Sequence, residues 1–494
     1  MHLIAHPVRV LCLLLVGTPL SMLPTLADAA TSAQACQALT TLSLPDAKVV
    51  AANVEDGSSS YCKVSLVMTP SKDSDIRAEV WLPASGWNGK YLAVGNGGWG
   101  GEIPRELMQT GLGRGYATSG TDDGHSGRSG DFVLGHPEKY IDFAYRSEHE
   151  MVLKSKAIIR AYYRRQPRYS YWDGCSGGGR EGLIQAHRFP DEFDGIIAGD
   201  PANFQRNAWA MWIAQASFKD TAAYIPASKY PMVHRAVLEA CDAIDGLKDG
   251  LIDDPRKCNF DPKVLQCSSG DAPNCLTERQ VHTARTIMSA PVTSTGRQVF
   301  ERLEPGTELG WERLAGGPEP GALFLDYFKY VVFKDPQWDW RTFNLDHDST
   351  LADDAMKGVL DLDPDLTLFQ KHHGKLLLYQ GWADQQVAPA ATIRFYDGLA
   401  HASGSSAHIG EWARLFMAPG MGHCVGGDGP NSFDKLDALE QWVEHHHAPE
   451  QIVGSHLADG KVDRTRPLCP YPKIAKYLGR GSPDDAANFK CESP

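Results

Sequence analysis

No stretch of the chain is basic enough to grip a polyanion. Its 494 residues hold 48 Lys and Arg against 61 Asp and Glu, a formal net charge of −13. No basic stripe interrupts that balance, which argues against a nucleic-acid partner. The acidity favours solubility and gives no attraction to anionic membranes. Long apolar runs are also missing. Past the N-terminal segment nothing approaches the ~20 residues needed to span a bilayer, so no membrane role is expected. There is no internal repeat and no long low-complexity tract, so a repeat array is not the architecture. What is present, 42% hydrophobic, 22% charged and 9% aromatic residues, suits a globular enzyme with a sizeable core. The length allows two or three domains, or one large domain with an insertion.

The first thirty residues read as an export leader. Arg9, His2 and His6 precede the apolar run VLCLLLVG, and small residues at Ala27 and Ala29 follow. Gly17 and Pro19 break the apolar run too early for a membrane anchor, so cleavage near Ala29 or Ala30 and a secreted or periplasmic location are expected. Export changes how the cysteines read. Of eleven, Cys12 leaves with the leader; the other ten form an even set, which in an oxidising compartment argues for five disulfides. Four local pairings suggest themselves: Cys36–Cys62, Cys241–Cys258, Cys267–Cys275 and Cys469–Cys491. If they form, Cys175 and Cys424 are left over. Counting alone does not fix connectivity.

From about 45 to 100 the chain is strand-like, with AEVWLP and KYLAVGN ended by Pro, Gly and Asn. A helical segment (148–165), a strand (169–174), a helix (178–189) and a buried strand (193–201) follow. That alternation predicts a parallel sheet covered by helices, an α/β fold. The beat stops over 203–360, rich in aromatics, turns and acidic loops, and resumes at GKLLLYQGWAD (374–384) and ARLFMAPGMGHC (413–424). The expected organisation is an α/β core (31–202 and 361–494) with 203–360 inserted.

Within YWDGCSGGGREG, Gly174-Cys175-Ser176-Gly177-Gly178 satisfies G-x-S-x-G between a strand and a helix. That context predicts a nucleophile elbow, with Ser176 projecting above the sheet and the Gly177 N–H able to donate to an oxyanion. Asp384 stands just past one strand and His423 in a glycine loop after the next. Ser, Asp, His is the chain order of an α/β-hydrolase triad. His423 would take the serine proton and Asp384 would orient the imidazole. The second oxyanion donor is expected from LAVGNGGWGGE (92–102), at Gly97 or Gly98. Cys175 beside the serine leaves a cysteine nucleophile as the rival mechanism, and a non-catalytic binding protein as the rival class.

In CDAIDGLKDGLID (241–253), Asp242, Asp245 and Asp249 offer carboxylates, and turns at Gly246 and Gly250 let the carbonyls of Leu247 and Leu251 point inward. Clustered hard oxygens suit Ca²⁺. The spacing is not an EF-hand, and a solvated acidic loop fits it equally well. Since the loop falls in the insertion, it is expected to lie away from the triad segments and to be structural. The HHH run at 445–447 reads as a solvated helix end.

The segments GNGGWGG, DGCSGGGREGL, FDGIIAGDPA, CDAIDGLKDGLIDDPRKC, GWADQQVAP, GMGHC and RPLCPYPKIAKYLG resemble the tannase and feruloyl esterase family of secreted α/β-hydrolases, which also includes the bacterial mono(2-hydroxyethyl) terephthalate hydrolase. The resemblance runs over about 36–494. It implies a disulfide-rich α/β-hydrolase core with an inserted lid, a serine esterase acting on small esters of aromatic acids, a catalytic Ser176, Asp384 and His423, and a bond between Cys175 and Cys424. It supports the four local disulfides and implies a structural Ca²⁺ in the lid, held by Asp242, Asp245, Leu247, Asp249 and Leu251. Aromatics at 209–215, 324–333 and 338–340 would be mostly lid core, a few free to stack on an aromatic acid. On this reading the thiol beside the serine is a tether, because a serine–histidine pair brings its neighbours within disulfide range, ~4.4–6.8 Å between Cα atoms.

Overall fold

The computed structural model describes residues 26–57, 60–404 and 408–494, with side chains from residue 32 onward. Most of the expected leader, residues 1–25, lies outside the described residues. The helix Leu26–Ala38 runs through the expected cleavage positions, Ala29 and Ala30.

One nine-stranded sheet organises the molecule. Its strands are β1 (Ala47–Glu55), β2 (Tyr61–Met68), β3 (Ile76–Pro83), β4 (Lys90–Val94), β5 (Ala117–Thr121), β6 (Tyr169–Cys175), β7 (Gly195–Gly199), β8 (Lys375–Gly381) and β9 (Ala413–Ala418). They lie in the order β1-β2-β3-β5-β4-β6-β7-β8-β9. The first pairings are antiparallel as far as β5, and everything from β5 to β9 is parallel. The sequence pattern follows this division. YCKVSLVM in β2 alternates between buried and half-buried positions, as one covered face requires. GIIAG in β7 is buried throughout, because helices cover both faces of a parallel strand. Crossover helices such as Ser147–Tyr163, Gly177–Arg188 and Pro389–Ala402 close the two faces.

Between β7 and β8 the chain leaves the sheet. Helices Arg206–Phe218, Tyr230–Cys241, Glu278–Ile287 and Leu345–Met356 pack around Trp209, Phe300, Trp311, Tyr327 and Phe328. This cluster joins the sheet half through Trp99 and Phe143. Most aromatics singled out in this region are therefore packing residues. After β9, two hairpins follow: β10 (Ile452–Ala458) with β11 (Lys461–Leu468), and β12 (Ile474–Tyr477) with β13 (Phe489–Glu492).

Among the described residues five disulfides are present: Cys36–Cys62, Cys175–Cys424, Cys241–Cys258, Cys267–Cys275 and Cys469–Cys491. At the end of the helix Lys435–His445, His446 takes the left-handed capping conformation at φ 60°, and His445 to His447 are exposed, with no other metal-ligand side chain converging on them among the described residues.

Candidate active site

Every residue of the expected constellation sits at the carboxyl end of a parallel strand, where helix and loop starts leave a crevice. Ser176 follows β6 and turns sharply into the helix Gly177–Arg188, at φ 60° and ψ −116°. The turn is locked by Ser176 N–H donating to Gly199 O (2.9 Å) and by Ser176 O accepting from Ala202 N–H (3.0 Å). A Cβ at Gly174 would come within 2.4 Å of the Gly178 carbonyl, so the elbow closes only with glycine there.

Asp384 lies three residues past β8 and is fully buried. Its Oδ1 accepts from the N–H groups of Gln386 (2.7 Å) and Val387 (2.9 Å). Its Oδ2 accepts from Gln380 Nε2 (2.9 Å) and pairs with His423 Nδ1 (2.8 Å). Burial alone would raise its pKa; the His423 charge and these hydrogen bonds hold it below the usual carboxylate value. Ser176 joins His423 differently. No hydrogen bond links the serine hydroxyl to the imidazole among the described residues. The connection is the Cys175–Cys424 disulfide, which brings the two flanking Cα atoms to 6.0 Å. Catalytic hydrogen bonds often tighten only when substrate binds.

A fourth group lies here that the sequence reading passed over, although FDGIIAGDPA contains it. Asp200, at the end of β7, is fully buried, and its carboxyl lies within 4.8 Å of the reactive atoms of both Asp384 and His423.

On the opposite side of Ser176, the loop after β4 carries Gly97 and Gly98. Among the described residues neither N–H has an acceptor, and the Gly177 N–H opens its helix, so three donors are free. The two segments touch: a Cβ on Gly177 would lie 3.4 Å from Gly97 Cα. A network that sequence reading did not find holds the loop in place. Asn96 N–H donates to Glu181 Oε2 (2.9 Å), Asn96 Nδ2 donates to Asp123 Oδ1 (2.8 Å) and Thr121 O (2.7 Å), and Asn96 O accepts from Gly178 N–H (2.6 Å). Asp123, Glu148 and Glu181 are all buried together here, and burial raises the pKa of each. Asn96 and Glu181 lie in the segments GNGGWGG and DGCSGGGREGL, but the pairing of these residues across four distant segments leaves no local pattern.

The excursion between β7 and β8 touches the site from two sides. Trp99 Nε1 donates to Leu323 O (3.0 Å), which places Leu323 against Gly98. On the other side, Gly310 packs on Gln385, the neighbour of Asp384. His234 bridges Glu308 (2.9 Å) to Asp428 (3.1 Å) in the loop that carries His423. Burial opposes its charge, but the bonds to Asp428 and Glu308 push its pKa up to about 9.

The acidic loop 241–253 does not lie away from the triad segments, as its place in the insertion suggested. Leu251 Cδ2 stands 2.7 Å from where a Gly420 Cβ would be, and Gly250, Leu251, Gln385, Gly420 and Gly422 line one cavity of about 80 Å³. Sequence distance misled because the excursion folds back onto the His423 loop. Within the acidic loop, Asp242 accepts from Asp249 N–H (3.1 Å) and Gly250 N–H (3.0 Å), and Asp245 accepts from Leu247 N–H (2.8 Å). Buried Arg466 of β11 pairs with Asp249 and reaches Asp253 at 3.7 Å. The buried guanidinium of Arg466 thus serves Asp249 and Asp253, with Asp245 within its field. Asp253 Oδ1 is buried without a hydrogen bond, and burial pushes Asp253 up to about 7. Uncompensated hard oxygens fit a Ca²⁺ ion in donor chemistry and charge, although no three of these carboxylates converge to within 4.8 Å among the described residues.

Known proteins resemble this chain in both sequence and fold. Residues 62–492 match the family described as tannase and feruloyl esterase. An uncharacterised esterase of Xanthomonas campestris pv. campestris is 37% identical, over 96% of this chain and 94% of its own length. A probable feruloyl esterase B-2 of Aspergillus terreus is 33% identical, over 88% of this chain and 86% of its own. The crystal structure of feruloyl esterase B from Aspergillus oryzae matches with a TM-score of 0.88 at 30% identity, covering 93% of this chain and 100% of that one. The chain belongs to the tannase and feruloyl esterase family and is a carboxylic ester hydrolase.

Proposed function

We propose that the protein is an exported serine esterase that hydrolyses esters of aromatic acids through an acyl-enzyme on Ser176. The observation that carries this reading is the Asp384–His423 hydrogen bond, with the disulfide tying the His423 loop to the serine elbow. Ser176 Oγ attacks the ester carbonyl while His423 takes its proton, and Asp384 holds the Nδ1–H of the imidazolium. The tetrahedral oxyanion receives the Gly177 N–H and one from Gly97 or Gly98. His423 returns the proton to the leaving alkoxide, which departs as the alcohol and leaves the acyl group on Ser176. A water molecule, deprotonated by His423, then attacks the acyl carbonyl, the acyl–Oγ bond breaks as His423 returns that proton to Ser176 Oγ, and the acid is released.

The aromatic-acid preference is supported by the feruloyl esterase relatives and by the excursion over the site, which we read as a lid. The leader pattern and five disulfides support export. Asp242, Asp245 and Asp249, with the carbonyls of Leu247 and Leu251, would hold a Ca²⁺ ion whose contribution is to neutralise the acidic excess around Arg466.

Initial rates on methyl ferulate, methyl gallate and a terephthalate monoester, each with a Ser176→Ala control, test the reading. Turnover of a phenolic ester that vanishes in the control is expected. Turnover of the terephthalate monoester alone would move the activity to that substrate class. Equal rates with Ser176→Ala would refute the mechanism.

A further inference from the structure

Asp200 has no role in the mechanism above, yet it is fully buried against the acid that serves His423. Its position is built from three directions. Its N–H donates to Tyr379 O (2.9 Å) on β8. Its Oδ1 accepts from Gly381 N–H (2.9 Å), where β8 ends and the Asp384 turn begins. Its Oδ2 accepts from Cys424 N–H (3.0 Å), the residue after His423. The backbone at Asp200 takes φ 39° and at Cys424 φ 65°, both left-handed and both unusual for residues other than glycine. One carboxyl thus fastens the end of β7 to the Asp384 turn and to the histidine loop.

Its protonation follows from the company it keeps. Asp384 accepts four hydrogen bonds, from Gln386, Val387, Gln380 and His423. Asp200 accepts two, from Gly381 and Cys424, and its carboxyl lies within 4.8 Å of that of Asp384. Two buried carboxyl groups this close cannot both hold a negative charge, so one of them carries a proton. Asp384, which has more donors and the imidazole beside it, keeps the charge. Cys175 Sγ, 3.3 Å from Asp200 Oδ2, is a disulfide sulfur and donates nothing. The other titratable or charged groups facing the pair are Tyr379 from β8, His423, and Arg206 from the first helix of the excursion. Asp173 on β6 and Arg180 after Ser176 act on Tyr379 and Arg206 respectively.

We propose that Asp200 is a positioning residue of the catalytic centre, a neutral carboxylic acid that donates a hydrogen bond to Asp384 and clamps the histidine loop through Cys424 N–H. Burial, followed by the Asp384 charge, shifts Asp200 well above the usual carboxylate range, which agrees with the geometry. The donated bond spreads the negative charge of Asp384 and keeps the carboxylate from holding the imidazolium too tightly. His423 then works as a base at lower pH than it would beside an unsupported aspartate.

The inference rests on the triad reading and is tested with kcat/KM–pH profiles on 4-nitrophenyl acetate for the full chain, Asp200→Asn, Asp200→Ala and Asp384→Asn. Asparagine keeps a neutral donor, so the acid limb of Asp200→Asn is expected to stay within ~0.3 pH unit of the parent. Alanine removes donor and clamp. It should lower kcat about tenfold or more at nearly unchanged KM, and raise the acid limb by roughly half a unit as Asp384 becomes more basic. An acid limb that falls by about a unit in Asp200→Asn would mean the native group is charged and would overturn the proposal. So would parental kcat and pH profile in Asp200→Ala. If Asp200→Ala does not fold, the Asp200→Asn profile decides alone. Asp384→Asn separates the two ideas: parental activity there defeats the triad itself, whereas an inactive Asp384→Asn beside an indifferent Asp200→Ala defeats only the role of Asp200.

Discussion

Removing the disulfide beside the serine is expected to cost both stability and turnover. The bridge joins residues 249 apart in the chain, across β7, the whole excursion and β8. In the chain-entropy treatment, releasing a loop of that length frees the unfolded state by about 5.5 kcal/mol at 25 °C. The Cys241–Cys258 and Cys267–Cys275 bridges lie inside the loop but shorten it little. At about 2.1 cal/mol/K of unfolding entropy per residue, a chain of this size should lose roughly 5 °C of melting temperature. Turnover should fall as well. Ser176 and His423 follow separate strands, and with the bridge gone only weaker ties remain, such as the Asp200 bond to Cys424 N–H at 3.0 Å. A displacement of about 1 Å between nucleophile and base is worth up to a hundredfold in rate. The variant is Cys175→Ala/Cys424→Ala, which leaves no free thiol at the site. The assays are thermal unfolding at a fixed scan rate and kcat on 4-nitrophenyl acetate. Parental melting temperature together with parental kcat would refute the tether. Iodoacetamide should leave the oxidised parent fully active; inhibition without prior reduction would revive Cys175 as the nucleophile.

Two further predictions concern the excursion. His234 has a folded pKa of about 9, above its ordinary ~6.5. Its bridge from Glu308 to Asp428 should therefore stabilise fully below about pH 6.5 and fade as pH rises through 9. His234→Gln should lower stability by about 2 kcal/mol at pH 6, with the half-exposed Asp428 screening part of the pair, and by much less at pH 10; a pH-independent difference in melting temperature would contradict the charge. For the acidic loop, Ca²⁺ at about a hundred times its Kd should add roughly 2.7 kcal/mol, read as a higher melting temperature that a chelator reverses and Asp245→Ala abolishes. An unchanged melting temperature at millimolar Ca²⁺ would argue against the ion.

How much of this was legible in the chain depended on whether a residue's partner was local. Ser176, Asp384 and His423 each follow an apolar strand, with glycines around Ser176 and His423, so sequence pattern and chain order singled them out as candidates, and the fold brings Asp384 and His423 together. The parallel strands after β5 were legible for the same reason, being short apolar runs ended by Gly, Pro or Asp. β5 itself, ATSGT, has no apolar run and becomes a strand only because β3 and β4 flank it. The short polar hairpins β10–β13 depend on the Cys469–Cys491 bridge and on docking against the sheet half, as in the Phe416–Pro470 bridge. Asp200, the Asn96 network and the His234 bridge were invisible because their partners lie tens to hundreds of residues away. The same long-range closure put the acidic loop beside the His423 loop rather than far from it.

The most direct test of the account is the site of covalent modification. A small fluorophosphonate incubated with the folded protein, followed by peptide mass spectrometry, should place the adduct on Ser176, stoichiometrically, and the adduct should be absent from Ser176→Ala. Asp384→Asn should label far more slowly, by roughly the ten-thousandfold seen when a triad aspartate is neutralised in serine proteases. An adduct on another residue, or a folded protein that takes up no label, would contradict the central claim that Ser176 is the nucleophile of this esterase.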